Sequence, residues 1–171
     1  MKVLIPFQGI SQYGKTVDTK LQGSACGPTT AAAILKYHEN RDYGVNELYK
    51  TLGTTRIGLF TWRFMRKLNK FSDKKYRVAK IRSLEEVKEE LVHGRPLAMK
   101  FDRYFSFRWR LESSYKYHWV PLIGFEEHPD DLILYIHDNG KRNRPSKIQA
   151  VSYKQNRKVL TFLKIVPTQT D

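Results

Sequence analysis

Apolar residues along this chain first fall at helical spacing and later gather in short runs, and the predicted elements follow that order. Val3 to Phe7 reads as a short opening strand, after which Gln8, Gln12, Tyr13, Gly14 and Gln22 mark a polar loop. Pro28, suited to a first helical turn, and Ala31 to Ala33 begin a run that predicts a buried helix to about His38. The stretch from Glu39 to Gly44 is rich in turn formers and ends it. A second, short helix is expected from Asn46, as its N-cap, to Leu52, with Gly53 beyond its end. Thr61 is placed to cap a third, in which Phe60, Phe64, Leu68 and Phe71 share one face and Arg63, Arg66, Lys67 and Lys70 the other. Ser83, with Glu86 three residues on, is a capping-box signature opening a fourth helix that runs through Leu91 and stops near Gly94.

Strands follow. Pro96 leads into Leu97 to Phe101, while Trp119 to Phe125 and Leu132 to His137 are separated by the polar stretch Glu126 to Asp131, a connection suited to a hairpin. Val159 to Val166 reads as a last strand, and Ile148 to Val151 as a weaker candidate. Helices before strands argue for an α+β fold around an antiparallel sheet. The chain has 171 residues, with no repeat and no evident linker, so one domain over residues 1–171 is expected.

Composition narrows the class. Hydrophobic residues make up 40%, as in a globular protein, and one cysteine cannot form an internal disulfide. The apolar N-terminal run is cut at Pro6, too short for a signal-peptide core, and no window approaches a membrane span. A soluble, cytoplasmic protein is the expectation. Lys and Arg number 31 against 17 Asp and Glu, a net charge of +14. The excess is concentrated at Arg56 to Arg82, where Asp73 is the sole acid, and at Lys141 to Lys158, which has none. Such patches admit an inactive basic module that grips an anionic polymer, nucleic acid or a wall glycopolymer, with Tyr104, Phe105, Phe107 and Trp109 adding stacking among Arg103, Arg108 and Arg110. The carboxylates Glu85, Glu86, Glu89 and Glu90 read as solubilising charge on an exposed helix side.

The chemistry centres on Gly23-Ser24-Ala25-Cys26-Gly27-Pro28-Thr29-Thr30. Cys26 falls at or just before a helix N-terminus, where unpaired N–H groups and the dipole favour thiolate, and Gly27 leaves room beside the sulfur for a substrate backbone. A cysteine nucleophile needs a base and a group that orients the base. His38 ends the Cys26 helix, roughly 18 Å away at 1.5 Å per residue, out of reach. His93 and His128 read as solvated surface groups. His118 opens an apolar strand and Asp138 closes the next, so the two can meet across a hairpin, with Asn139 as fallback orienter. No Cys-x-x-Cys or His-x-x-x-His spacing marks a metal site, and Gly53 and Gly58 are isolated rather than part of a phosphate loop. Neither metal nor cofactor is expected.

These segments together, with Gly94-Arg95-Pro96-Leu97 and His118-Trp119-Val120-Pro121-Leu122-Ile123-Gly124-Phe125, resemble the C39-like branch of papain-fold cysteine peptidases. The resemblance implies a papain-like α+β fold and a thiol hydrolase for peptide-like amides that forms a thioester. It implies Cys26 as nucleophile, His118 as base, Asp138 as orienter, and a peptide or protein substrate. It also implies an upstream glutamine in the oxyanion hole: Gln12 by its place after an initial strand, Gln22 as the alternative and Gln8 as a distant third. Asn139 stands where proline often follows the family's aspartate. Members that trim leader peptides do so within membrane transporters, and the absence of such segments here withholds that role.

Overall fold

The computed structural model describes residues 1–108 and 110–168. Seven strands, β1 (Lys2–Leu4), β2 (Tyr76–Ile81), β3 (Leu97–Asp102), β4 (Tyr117–Glu127), β5 (Leu132–Asp138), β6 (Lys147–Ser152) and β7 (Leu160–Pro167), form one sheet in which every pairing is antiparallel. The order is β2-β7-β3-β4-β5-β6, and β4 is long enough to take both β3 and β1 along one edge. Leu122 to Tyr117 pairs with β3, Gly124 to Glu126 with β1, and the ladder to β5 shifts register between Leu122 and Gly124.

Helices α1 (Cys26–Glu39), α2 (Val45–Thr51), α3 (Thr61–Phe71), α4 (Leu84–Val92) and the short α5 (Tyr153–Asn156) cover this sheet. Two apolar clusters form. One joins α1, α2 and α3 to Tyr76, Val78, Ala98, Trp119, Leu163 and Ile165; the other joins Val87 and Leu91 of α4 to Leu97, Met99, Phe101, Val120 and Leu122. Neighbouring residues of β3 thus divide between them, as strand geometry requires of a sheet buried on both sides. The expected α+β architecture is present, and so is the β4–β5 hairpin.

Several local details differ from expectation. Strand β2, hidden in the basic run, carries Tyr76 and Val78 to one cluster and Ile81 to the other. Gly44, not Asn46, occupies the N-cap of α2. Asn46 instead accepts from the Asp18 N–H (3.0 Å) and donates to the Thr16 carbonyl (3.2 Å), fixing the loop before α1. Ser83 does cap α4, accepting from the Glu86 N–H at 3.1 Å. Glu90 corrects the solubilising role given to its helix face: it is buried, hydrogen-bonded by Arg95 and 3.9 Å from Lys164. Glu90→Ala is accordingly expected to cost about 1–2 kcal/mol at neutral pH, measured as a lower denaturant midpoint with unchanged slope.

Candidate active site

Cys26 is the first residue of α1, and every residue from there to Leu35 is buried. A short 3-10 turn, Gln22–Ser24, delivers the chain to it. Gly27 does not serve as a space for substrate. A side chain there would stand 2.8 Å from the Leu59 side chain, so the glycine lets that leucine pack against the helix start. Leu59 is in turn held by both neighbours of His118: its carbonyl accepts from Tyr117 Oη and from Trp119 Nε1, each at 2.8 Å. Gly58, at φ +113°, is seated against the Tyr117 ring, where a Cβ would come within 2.5 Å.

These constraints bring Cys26 and His118 close enough to act on each other's charge, on a cleft of about 270 Å³ that both line. Nε2 of His118 lies 3.0 Å from Asp138 Oδ1, which leaves Nδ1 for another partner. The other Asp138 oxygen accepts from Gln149 Nε2 at 2.8 Å and from Arg144. Tyr115 lies over the imidazole, its ring centroid 4.8 Å away at 34°. Asp138 is 1% exposed, so its contacts act with little screening by water.

The charges respond accordingly. Burial alone pushes the Cys26 thiol up, but the His118 hydrogen bond and positive charge, with backbone hydrogen bonds from Trp119 and Gly27, bring it below an ordinary cysteine. Burial pushes His118 down, while Asp138 and Cys26 together hold it up at about 9. Asp138, raised by burial, is carried net downward by His118 and Arg144. A lowered thiol beside a raised imidazole is the condition for a thiolate–imidazolium pair.

Gln12 is 4% exposed and lines the cleft. Its backbone N–H donates to Asn139 O (2.9 Å) and its Nε2 to Gln22 O (2.7 Å), so one Nε2 hydrogen remains for another acceptor. The Gln22 side chain donates to Val17 O at 3.2 Å and does not line the cleft; that residue holds Gln12 through its carbonyl. Gln8 is exposed and away from the cleft. Asn139 does not orient His118. Its Nδ2 donates to Cys26 O (3.1 Å), Thr30 Oγ1 (3.1 Å) and Trp119 O (2.9 Å), tying the helix start to β4.

A profile of the peptidase C39 like family matches residues 5–165. The chain belongs to that family. Among solved structures, a protein from Bacillus anthracis assigned as a C39-like peptidase superposes with a TM-score of 0.70 at 14% identity, over 99% of this chain and 100% of that one. The peptidase domain of Streptococcus ComA, a bifunctional ABC transporter of a quorum-sensing pathway, gives 0.59 at 15%, over 97% and 98%. A double glycine motif protease from an AMS/PCAT transporter, in complex with the leader peptide, gives 0.62 at 17%, over 97% and 95%. At such identities the likeness establishes a shared fold. No curated protein matches the sequence.

Within this C39-like chain, Tyr115, Arg144 and Gln149 escaped sequence reasoning. Arg144 is one of many cations in its run, and its position on Asp138 emerges only when β5 and β6 pair. In the aromatic excursion after β3, Phe105 meets Phe60 and Tyr117 with centroids 5.5 and 5.4 Å away, while Phe107 stays 81% exposed. Trp109 lies outside the described residues. Arg63, on the basic face of α3, donates to the Gly53 carbonyl past the end of α2 at 2.8 Å. No described helix is long and apolar enough to cross a membrane, and no group of three His, Cys, Asp or Glu among the described residues could hold a metal.

Proposed function

We propose that residues 1–171 act as one cysteine peptidase domain, with Cys26, His118 and Asp138 as its catalytic set and Gln12 in its oxyanion hole. The observation that carries this reading is the paired thiol and imidazole on an open cleft, with the second imidazole nitrogen on a buried carboxylate. The thiolate attacks the amide carbonyl, and the tetrahedral oxyanion is met by the Cys26 backbone N–H and the free Nε2 hydrogen of Gln12. The imidazolium hands its Nδ1 proton to the departing amine as the C–N bond breaks, leaving a thioester. Neutral His118 then takes a proton from water, which adds to the thioester and releases the acid and the thiolate. Asp138 accepts from Nε2–H throughout, which keeps Nδ1 toward sulfur.

The test is cleavage of a mixed peptide library followed by mass spectrometry, with Cys26→Ala as the blank. Cleavage by the wild type alone supports the reading. Equal product from both, together with Cys26 alkylating like an ordinary thiol, overturns it. Gln12→Ala is expected to lower kcat/KM about 10²- to 10³-fold while leaving the iodoacetamide rate of Cys26 within a few-fold of wild type, because alkylation builds no oxyanion. Parallel losses in both rates would remove Gln12 from the oxyanion hole.

A further inference from the structure

Resting on the peptidase reading, we propose that this cleft selects peptides carrying Asp or Glu side chains beside the scissile bond and disfavours those carrying Lys or Arg. Three exposed cations line the cleft, and they come from three separate segments: Arg56 from the turn before α3, Lys116 from the approach to β4, and Lys141 from the turn after β5. Among the described residues none of the three takes part in an ion pair. Asp138 is the sole carboxylate lining the cleft, and its oxygens are taken by His118, Gln149 and Arg144. Among the described residues no carboxylate is therefore paired with these three cations.

The positive character continues beyond the cleft. A neighbouring cavity of about 240 Å³ shares Tyr115 and Lys141 with it and adds Arg144, again with no carboxylate in its lining. A peptide laid in the cleft beside Cys26 meets Arg56, Lys116 and Lys141 with no carboxylate of the described residues paired to them. A substrate carboxylate there gains attraction that the protein's own acids do not supply, while a substrate cation meets like charge. The selection acts on side chains flanking the amide, and the reacting carbonyl itself stays neutral until attack.

The experiment uses peptide vinyl sulfones that differ at one position near the warhead as Glu, Gln or Lys, read against iodoacetamide as a neutral reference on the same protein. The expected order of Cys26 labelling is Glu over Gln over Lys, with Glu and Lys apart by about tenfold or more at low ionic strength, since three cations line the cleft that the probe enters. The gap should close in about 1 M salt, where the screening length falls to about 3 Å. It should also close in the Arg56→Gln, Lys116→Gln, Lys141→Gln variant. Equal rates for the three probes with brisk iodoacetamide labelling overturn the selectivity and leave the peptidase reading standing. Iodoacetamide labelling no faster than that of a free thiol overturns the peptidase reading, and the selectivity falls with it.

Discussion

His118→Ala is expected to lower the iodoacetamide rate of Cys26 at mildly acidic pH, by about tenfold for each unit that the thiol pKa rises on losing the ring, because alkylation follows the thiolate. Burial raises this thiol, and His118 is the main influence opposing it. Without the ring, the sulfur is left with the burial that works against its charge. Peptide hydrolysis should fall further, by roughly four orders of magnitude, since the variant also lacks the group that protonates the leaving amine.

The pH profile separates these two losses. In the wild type, hydrolysis should rise as pH climbs through the lowered Cys26 value, then fall as it passes about 9, where His118 gives up its proton. Alkylation should show the rising limb and no descent, for a thiolate beside neutral imidazole still attacks iodoacetamide. Stopped-flow labelling and a continuous peptide assay over the same buffers check this. A wild-type labelling limb at the ordinary cysteine value, unchanged in His118→Ala, would dissolve the proposed pair.

The second large effect concerns Asn139, fully buried and donating to three oxygens. Carbonyl oxygens only accept, so the amide must point its nitrogen at them. Asn139→Asp keeps the shape but sets a carboxylate against two carbonyls, and is expected to cost on the order of 3–5 kcal/mol, more than Asn139→Ala at about 2–3 kcal/mol. For a chain of this length that is a fall in Tm of about 6–20 °C for Asp. Cys26 reactivity should fall in both variants at temperatures where they remain folded, because the ligated carbonyl belongs to Cys26 itself. Thermal midpoints equal to wild type in the Asp variant would show that these hydrogen bonds do not hold the site.

Legibility in the sequence tracked distance along the chain. The helix start at Cys26 is announced by its own Gly, Pro and Ala neighbours, and the β4–β5 hairpin joins His118 to Asp138 across a connection short enough to read. The expected capping by Ser83 is local too. Asn139 meets Cys26 across 113 positions, a relation carried by no neighbouring residue. Asn46 shows the same limit in small: its composition suggested a cap, but the loop around Asp18 lies within its reach and takes the side chain. Strand β2 was obscured because its exposed positions, Arg77 and Lys80, continue the surrounding run of cations, and only Tyr76, Val78 and Ile81 are buried.

Trp119 sits on the central strand with its indole on Leu59 and its carbonyl on Asn139, so it secures two sides of the cleft at once. Fraying at the nucleophile is thereby coupled to rupture of the interior of the sheet. In deuterium exchange the hydrogen-bonded amides of α1 from Thr29 onward should be as slow as those of β4, and should lose protection with them in one cooperative step.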